Sequence, residues 1–156
     1  MIMVGMNMEA PASEPDRTFT PLRSLRDMSN ERDSVACSEG LPPGYPFNAE
    51  WEIAPRDLHR RREAGEAIVL IDCRTETERL LAKIDGSIHV PMQSISIHLD
   101  ALRVHETAVV VVHCHHGVRS LQVTQLLRKA GFDDVRSLAG GIHLWASDID
   151  RSIAIY

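Results

Sequence analysis

The sequence is poor in cysteine and in aromatic side chains. Of its 156 residues, three are cysteines and 4% are Phe, Trp or Tyr. Cys37, Cys73 and Cys114 are odd in number and form no closely spaced pair of the kind that ligates zinc. This argues against a disulfide framework and favours a reducing compartment.

Long apolar runs and an excess of positive charge are also missing. No run approaches the roughly 18 apolar residues that suggest a membrane span, and the first residues lack the basic start of a secretory signal. The formal net charge of −5 gives no basic surface for nucleic acid or anionic lipid. We therefore expect a cytoplasmic protein with neither a nucleic acid nor a membrane as its partner.

The first 46 residues differ in composition from the rest of the chain. Six of the eight prolines lie there, and the segment has no sustained apolar period. Such a segment buries too little apolar surface to offset the entropy lost on ordering. We expect residues 1–46 to be a disordered leader and residues 47–156 to form one domain.

Strand-like and helix-like segments alternate from residue 51 onward. Residues 109–112 are four consecutive valines, which predicts a parallel strand buried on both faces. The predicted strands comprise residues 67–71, 87–90, 108–112 and 135–138. The predicted helices comprise residues 54–64, 75–81 and 93–102, a helix that opens near Arg119 or Ser120 and ends at Gly131, and one that carries Trp145. This alternation predicts an α/β fold, a small doubly wound parallel sheet flanked by helices.

The segment HCHHGVRS, residues 113–120, follows the valine strand directly. Ligands bind at the carboxyl ends of strands in such sheets. Gly117 permits a turn whose backbone N–H groups point inward, and the following helix N-terminus and Arg119 add positive charge. These surroundings favour the thiolate of Cys114. The alternative is that Cys114 is a small half-buried apolar residue and Arg119 is solvated.

Residues 114–120 resemble the active-site loop of the rhodanese-like sulfurtransferases. Two other segments agree with that family: LIDCR at residues 70–74, and LAGGIHLW at residues 138–145. The three motifs occur in the right order, and the resemblance covers about residues 49–150. One departure is Lys83, which stands where the family commonly has a histidine.

The resemblance implies a rhodanese-like fold and a two-step sulfur transfer without a cofactor or metal. Cys114 would take a sulfane sulfur from a donor such as thiosulfate and pass it, as a persulfide, to a thiol or cyanide. The residues implied in binding are His115, His116, Gly117, Val118, Arg119, Ser120 and Arg74. Four residues separate Cys114 from Arg119, as in the sulfurtransferases, whereas the related dual-specificity phosphatases have five.

Several alternatives stay open at this level. Arg74 either contacts the substrate or pairs with Asp72 or Glu78. Cys73 either resolves a persulfide into a disulfide or packs in the core, and packing is favoured. Zinc is disfavoured because adjacent histidines diverge at a strand end. His115 and His116 are instead expected at the pocket mouth, with a partial positive charge that attracts anions.

The function also has alternatives. A rhodanese fold can serve as a non-catalytic module that binds a partner protein, although the loop cysteine is present here. It can also serve as a persulfide carrier for one dedicated sulfur-relay protein. A phosphatase or arsenate reductase is the least favoured reading because of the loop length.

Overall fold

The computed structural model describes residues 40–156, which form a sheet of five parallel strands. The strands are β1 Glu52–Ile53, β2 Ile68–Asp72, β3 Ile88–His89, β4 Val109–His113 and β5 Asp134–Leu138. Their order across the sheet is β1-β5-β4-β2-β3. The four predicted strands are present, each to within one residue at either end. β1 was not predicted because two residues are too few to show any apolar period.

Within residues 40–156, four helices connect successive strands and a fifth follows the last strand. They are α1 Pro55–Glu63, α2 Glu76–Leu81, α3 Ile95–Leu102, α4 Val118–Lys129 and α5 Gly141–Asp148. Two 3₁₀ turns, Met92–Ser94 and Arg103–His105, flank α3. None of the helices within residues 40–156 has the length and apolar character that a membrane crossing requires.

The valines of β4 divide the core into two layers, as the predicted double winding requires. Val110 and Val112 lie in one buried cluster with residues of α3 and α4. Val111 lies in the other cluster, with residues of α1 and α5 such as Leu58 and Trp145. Because successive side chains of a strand point to opposite faces, the valine run covers both faces of the central strand. The doubly wound fold class is therefore confirmed.

Helix α4 begins earlier than the sequence predicts. It starts at Val118 because Gly117, with φ of +104°, already serves as its N-cap. At the other end Gly131 has φ of +97°, and the N–H of Phe132 donates to the carbonyl oxygen of Leu127 at 3.2 Å. This is a Schellman cap, and it lies at Gly131, where the sequence predicts the end of the helix. Both ends of α4 are thus fixed by glycine, and its N-terminus faces the cysteine loop.

The predicted leader falls only partly within the described residues, since residues 1–39 lie outside them. In the described part, the Tyr45 hydroxyl donates to Oε1 of Glu52 at 2.9 Å and accepts from the N–H of Gly140 at 2.9 Å. Tyr45 thereby joins strand β1 to the turn before α5. The disorder of the leader and the domain start at residue 47 stay predictions.

Candidate active site

Cys114 lies at the carboxyl end of β4, and hydrogen-bond donors of the following loop surround its sulfur. The N–H of Gly117 donates to Sγ at 3.1 Å, and the hydroxyl of Ser120 lies 3.4 Å from Sγ. Gly117 turns its N–H inward through a positive φ, which a side chain would strain. Cys114 is only 1% exposed, so the sulfur is held among donors and largely shielded from solvent.

These contacts change the acidity of both neighbouring thiols. A hydrogen bond from Cys73, with others from Ser120 and Gly117, lowers the pKa of Cys114 to about 4 although burial opposes the shift. The same hydrogen bond, together with burial, raises the pKa of Cys73. Cys73 therefore stays protonated beside Cys114, whose lowered pKa favours the thiolate at neutral pH.

The Gly-Gly turn before α5 holds the backbone of the cysteine loop. The N–H of Ile142 donates to the carbonyl oxygen of Cys114 at 2.9 Å. The N–H of His143 donates to the carbonyl oxygen of His115 at 3.1 Å. Gly141 has φ of +58°, and a Cβ there would overlap the carbonyl oxygens of Cys114 and His115. Only glycine lets the N-terminus of α5 approach the loop this closely.

Arg119 reaches across the site to helix α2. Its Nη1 and Nη2 donate to Oε2 and Oε1 of Glu78 at 2.8 and 2.5 Å. The Arg119 guanidinium, with help from Thr75, lowers the pKa of Glu78 to about 2. The positive charge of Arg119, which the sequence places at the pocket, is therefore offset by the carboxylate of Glu78.

Arg74 is fully buried below the site. Its Nε and Nη2 donate to the two carboxylate oxygens of Asp72 at 2.9 and 2.6 Å. Nη2 also donates to the carbonyl oxygen of Ala82 at 2.7 Å, and Nη1 donates to the hydroxyl of Tyr156 at 2.7 Å. This is the pairing with Asp72 that the sequence left open, and a contact between Arg74 and the substrate stays a prediction.

Three histidines meet at the rim of the site. Nitrogen atoms of His115, His116 and His143 lie within 4.8 Å of one another. Tyr156 stacks on the other side of His115, with ring centroids 4.3 Å apart. Burial and the charges of His116 and His143 lower the pKa of His115. The lowered pKa disfavours the charged form of His115, and the partial positive charge expected at the pocket mouth stays a prediction.

His115 and His116 are not arranged to ligate one metal ion together. A bound metal lies in the plane of each imidazole that ligates it. The rings of His115 and His116 stack 3.9 Å apart at only 23°, so their planes do not meet near a common point. The sequence argument nevertheless overlooked His143, which comes close only through the docking of α5.

The predicted binding residues thus separate into two groups. Gly117 and Ser120 contact the cysteine sulfur, and Arg119 lies near enough to be influenced by its charge. His116 and Val118 are exposed on the rim, and Val118 shows 69% of its surface. Sequence reasoning missed Tyr156, for which no local pattern gave a signal.

Comparisons with known proteins agree with this geometry. The sequence profile of the Rhodanese-like domain matches residues 54–148. The thiosulfate sulfurtransferase GlpE of Pseudomonas fluorescens is 38% identical over 95 residues, which are 61% of this chain and 84% of that protein. The probable adenylyltransferase/sulfurtransferase MoeZ of Mycobacterium tuberculosis is 32% identical over 67% of this chain. The chain spans about a quarter, 26%, of the length of MoeZ.

Solved structures show the same fold. The human single-domain sulfurtransferase TSTD1 superposes with a TM-score of 0.57 at 25% identity, over 65% of this chain and 98% of that one. The rhodanese-like domain protein of Staphylococcus aureus gives a TM-score of 0.59 at 24% identity, over 68% of this chain and 98% of that one. Because the profile matches residues 54–148, the chain belongs to the rhodanese-like domain family, and sulfurtransferases are among its relatives.

Proposed function

We propose that this protein is a sulfurtransferase that carries a sulfane sulfur as a persulfide on Cys114. The observation that carries this proposal is the set of donors on Sγ, from the N–H of Gly117 and the hydroxyl of Ser120. Donors placed in this way stabilise a thiolate, which is the nucleophilic form of cysteine.

The reaction has two displacement steps. The Cys114 thiolate attacks the outer sulfur of thiosulfate, the S–S bond of thiosulfate breaks, and sulfite leaves with the bonding electron pair. The product is Cys114–S–S⁻. An acceptor such as cyanide then attacks the outer sulfur, which leaves as thiocyanate, and Cys114 returns to its thiolate. Neither step needs a general base, because no proton is removed from the nucleophile at neutral pH.

The persulfide extends the negative charge by one sulfur atom into the loop. Backbone N–H groups at the start of α4 and the helix dipole favour a negative charge at this place. Preorganised donors of this kind require little rearrangement during the reaction. We therefore expect the loop to bind the thiolate and the persulfide in turn, with Ser120 as the adjustable donor.

Thiosulfate is the proposed donor because GlpE, a relative over most of its own length, is a thiosulfate sulfurtransferase. A second candidate function is a carrier that gives its sulfur to one partner protein. It is favoured by the shielding of Cys114, of which 1% is exposed, and by the relation to MoeZ. The two candidates differ in the acceptor and share the persulfide on Cys114.

Intact mass spectrometry tests the shared step. Early in an incubation with thiosulfate the protein should gain one sulfur atom, and cyanide added at that point should remove it. The Cys114→Ser variant should remain folded and gain no sulfur, whereas Cys37→Ser should behave as the parent. Sulfur uptake by Cys114→Ser would overturn the mechanism.

Steady-state assays separate the remaining functions. Fast turnover with cyanide or small thiols supports the enzyme, and loading without turnover supports the carrier. A folded protein that takes up no sulfur from thiosulfate or from a persulfide donor would be a binding module. Hydrolysis of a phosphoester by the parent and its loss in Cys114→Ser would support the phosphatase reading instead.

A further inference from the structure

Cys73 and Cys114 lie side by side at the ends of two neighbouring parallel strands. The register of β2 and β4 pairs Asp72 with His113, so the two cysteines are the next residues in line. The backbone hydrogen bonds between β2 and β4 extend as far as the cysteines, because the N–H of Cys73 donates to the carbonyl oxygen of His113 at 3.0 Å. The nucleophile of the proposed reaction therefore has a second thiol as its lateral neighbour.

The placement of the two residues is suitable for a disulfide. Neighbouring parallel strands run about 4.8 Å apart, and residues in register point to the same face. A disulfide joins Cα atoms that are about 4.4–6.8 Å apart. Cys73 and Cys114 belong to the same buried cluster, and both are free thiols in this structure. No strand would have to shift its register for the two sulfurs to bond.

We propose that Cys73 is a resolving cysteine that discharges the Cys114 persulfide and releases its outer sulfur as sulfide. The Cys73 sulfur attacks Sγ of Cys114, the persulfide S–S bond breaks, and the outer sulfur leaves as HS⁻ with the proton of Cys73. The product is a Cys73–Cys114 disulfide. An external dithiol then attacks the Cys114 sulfur of this disulfide, Cys73 leaves as a thiol, and the second thiol of the reductant releases Cys114, so that two electrons restore both cysteines. This inference rests on the proposed function, because it starts from the persulfide.

Formation of the persulfide also changes the surroundings of Cys73. In the resting protein, the Cys73 thiol lies beside the Cys114 thiolate in the same buried cluster. In the persulfide, the negative charge resides mainly on the outer sulfur, and Sγ becomes the electrophilic centre. Cys73 is fully buried, so a solvent-borne acceptor cannot reach it. Cys73 can therefore react only with Sγ of Cys114. The outer sulfur of the persulfide then leaves the protein either by transfer to an acceptor or as sulfide.

The test compares Cys37→Ser with the double variant Cys37→Ser/Cys73→Ser. Serine keeps a donor next to Cys114 but has no sulfur. Both proteins are loaded with thiosulfate under anaerobic conditions and desalted, and sulfide and intact mass are followed without an acceptor. We expect Cys37→Ser to release one sulfide per persulfide and to end two hydrogens lighter than its reduced form. The Cys73→Ser protein should keep its added sulfur. Equal retention or equal release by both proteins would overturn the proposal.

A second arm separates this inference from the proposed function. The unloaded proteins are treated with diamide, and peptide mapping then locates any disulfide. We expect a Cys73–Cys114 disulfide in Cys37→Ser, which shows that the two sulfurs can meet without any persulfide. If no donor loads either protein, the proposed function fails while this disulfide still supports the pairing of the two thiols. Absence of the disulfide would overturn the resolving role whatever the loading result.

Discussion

Arg119, in the first turn of helix α4, and Glu78, on helix α2, form a two-point ion pair across the mouth of the site, with N–O distances of 2.8 and 2.5 Å. Glu78 also caps α2, where its carboxylate accepts from the N–H of Thr75 at 3.1 Å. One carboxylate thus fixes the start of a helix and neutralises the arginine nearest the thiolate. The affinity of the site for an anionic donor should depend on this partner.

Replacing Glu78 with glutamine should strengthen the binding of thiosulfate. Glutamine keeps an oxygen that accepts hydrogen bonds but removes the negative charge that offsets Arg119. Because partly exposed ion pairs contribute about 0.2–1 kcal/mol, the KM for thiosulfate should fall by up to about fivefold. The dependence of KM on ionic strength should become steeper. Steady-state kinetics at two salt concentrations measures both effects.

Glu106→Gln is the matched control, because it removes the same charge near the amino end of β4, away from the site. It should leave the KM for thiosulfate unchanged. An equal fall in both variants would mean that net charge, and not the Arg119 pair, governs donor binding. An increased KM in Glu78→Gln alone would mean that the pair positions Arg119 for the substrate.

The sequence predicted the sheet and the cysteine loop because both are local features. The valine run of β4 and the glycine-flanked helix α4 each carry their signal within about a dozen residues. The donors of the loop also follow from local order, since Gly117 and Ser120 come three and six residues after Cys114.

The contacts between distant segments could not be predicted in this way. His143 reaches His115 because α5 docks on the loop, and Tyr156 reaches Arg74 across 82 residues of sequence. The relation of Cys73 to Cys114 depends on strand order and register, which periodicity alone does not give. These tertiary contacts lower the pKa of His115 and place a second thiol beside the nucleophile.

Gly141→Ala should destabilise the protein more than a positive φ alone explains. The new Cβ would overlap the carbonyl oxygens of Cys114 and His115, so α5 or the loop must move. Gly65→Ala is the matched control, since Gly65 has φ of +79° with no atom within 4 Å of an added Cβ. We expect the control to lose about 1–2 kcal/mol and Gly141→Ala to lose about 1–3 kcal/mol more.

Urea unfolding measures this difference, and sulfur loading should be impaired only in Gly141→Ala. If both variants lose the same stability and both load sulfur normally, the close approach of α5 to the loop has no role in the site.

Sulfur uptake by Cys114 should be independent of pH across the neutral range. The donors around the sulfur lower the pKa of Cys114 to about 4. The initial rate of loading from thiosulfate should therefore be flat above about pH 5.5 and fall as protons bind the thiolate near pH 4. A rate that rises from pH 7 to pH 9 would show an ordinary thiol and contradict the assignment.

Ser120→Ala should move the acid limit of this profile to higher pH. The variant loses a hydroxyl that lies 3.4 Å from Sγ, so the thiolate is less stabilised and the pKa of Cys114 rises. The control is Ser147→Ala, which removes a hydroxyl that donates to the carbonyl oxygen of His143. It should leave the pH profile of sulfur loading unchanged. A rate reduced equally at every pH in Ser120→Ala would indicate a structural role instead.

Asp72→Asn should cost far more stability than the loss of a surface ion pair. Asp72 and Arg74 are both fully buried, so the variant leaves the guanidinium charge without its partner. We expect a loss of about 3–5 kcal/mol. The control is Asp148→Asn, which breaks a pair with the more exposed Arg56 and should cost less than about 1 kcal/mol.

The dependence of this loss on pH identifies its cause. Burial would raise the pKa of Asp72, but the hydrogen bonds from Arg74 and the charges of His113 and Arg74 hold it below the usual value. A lowered pKa contributes stability that is present above the unfolded value, about 3.9, and is lost as the pH falls through the folded value. The stability gap between the parent and Asp72→Asn should therefore narrow below about pH 4 in urea titrations. A gap that stays constant with pH would assign the loss to packing and not to the carboxylate charge.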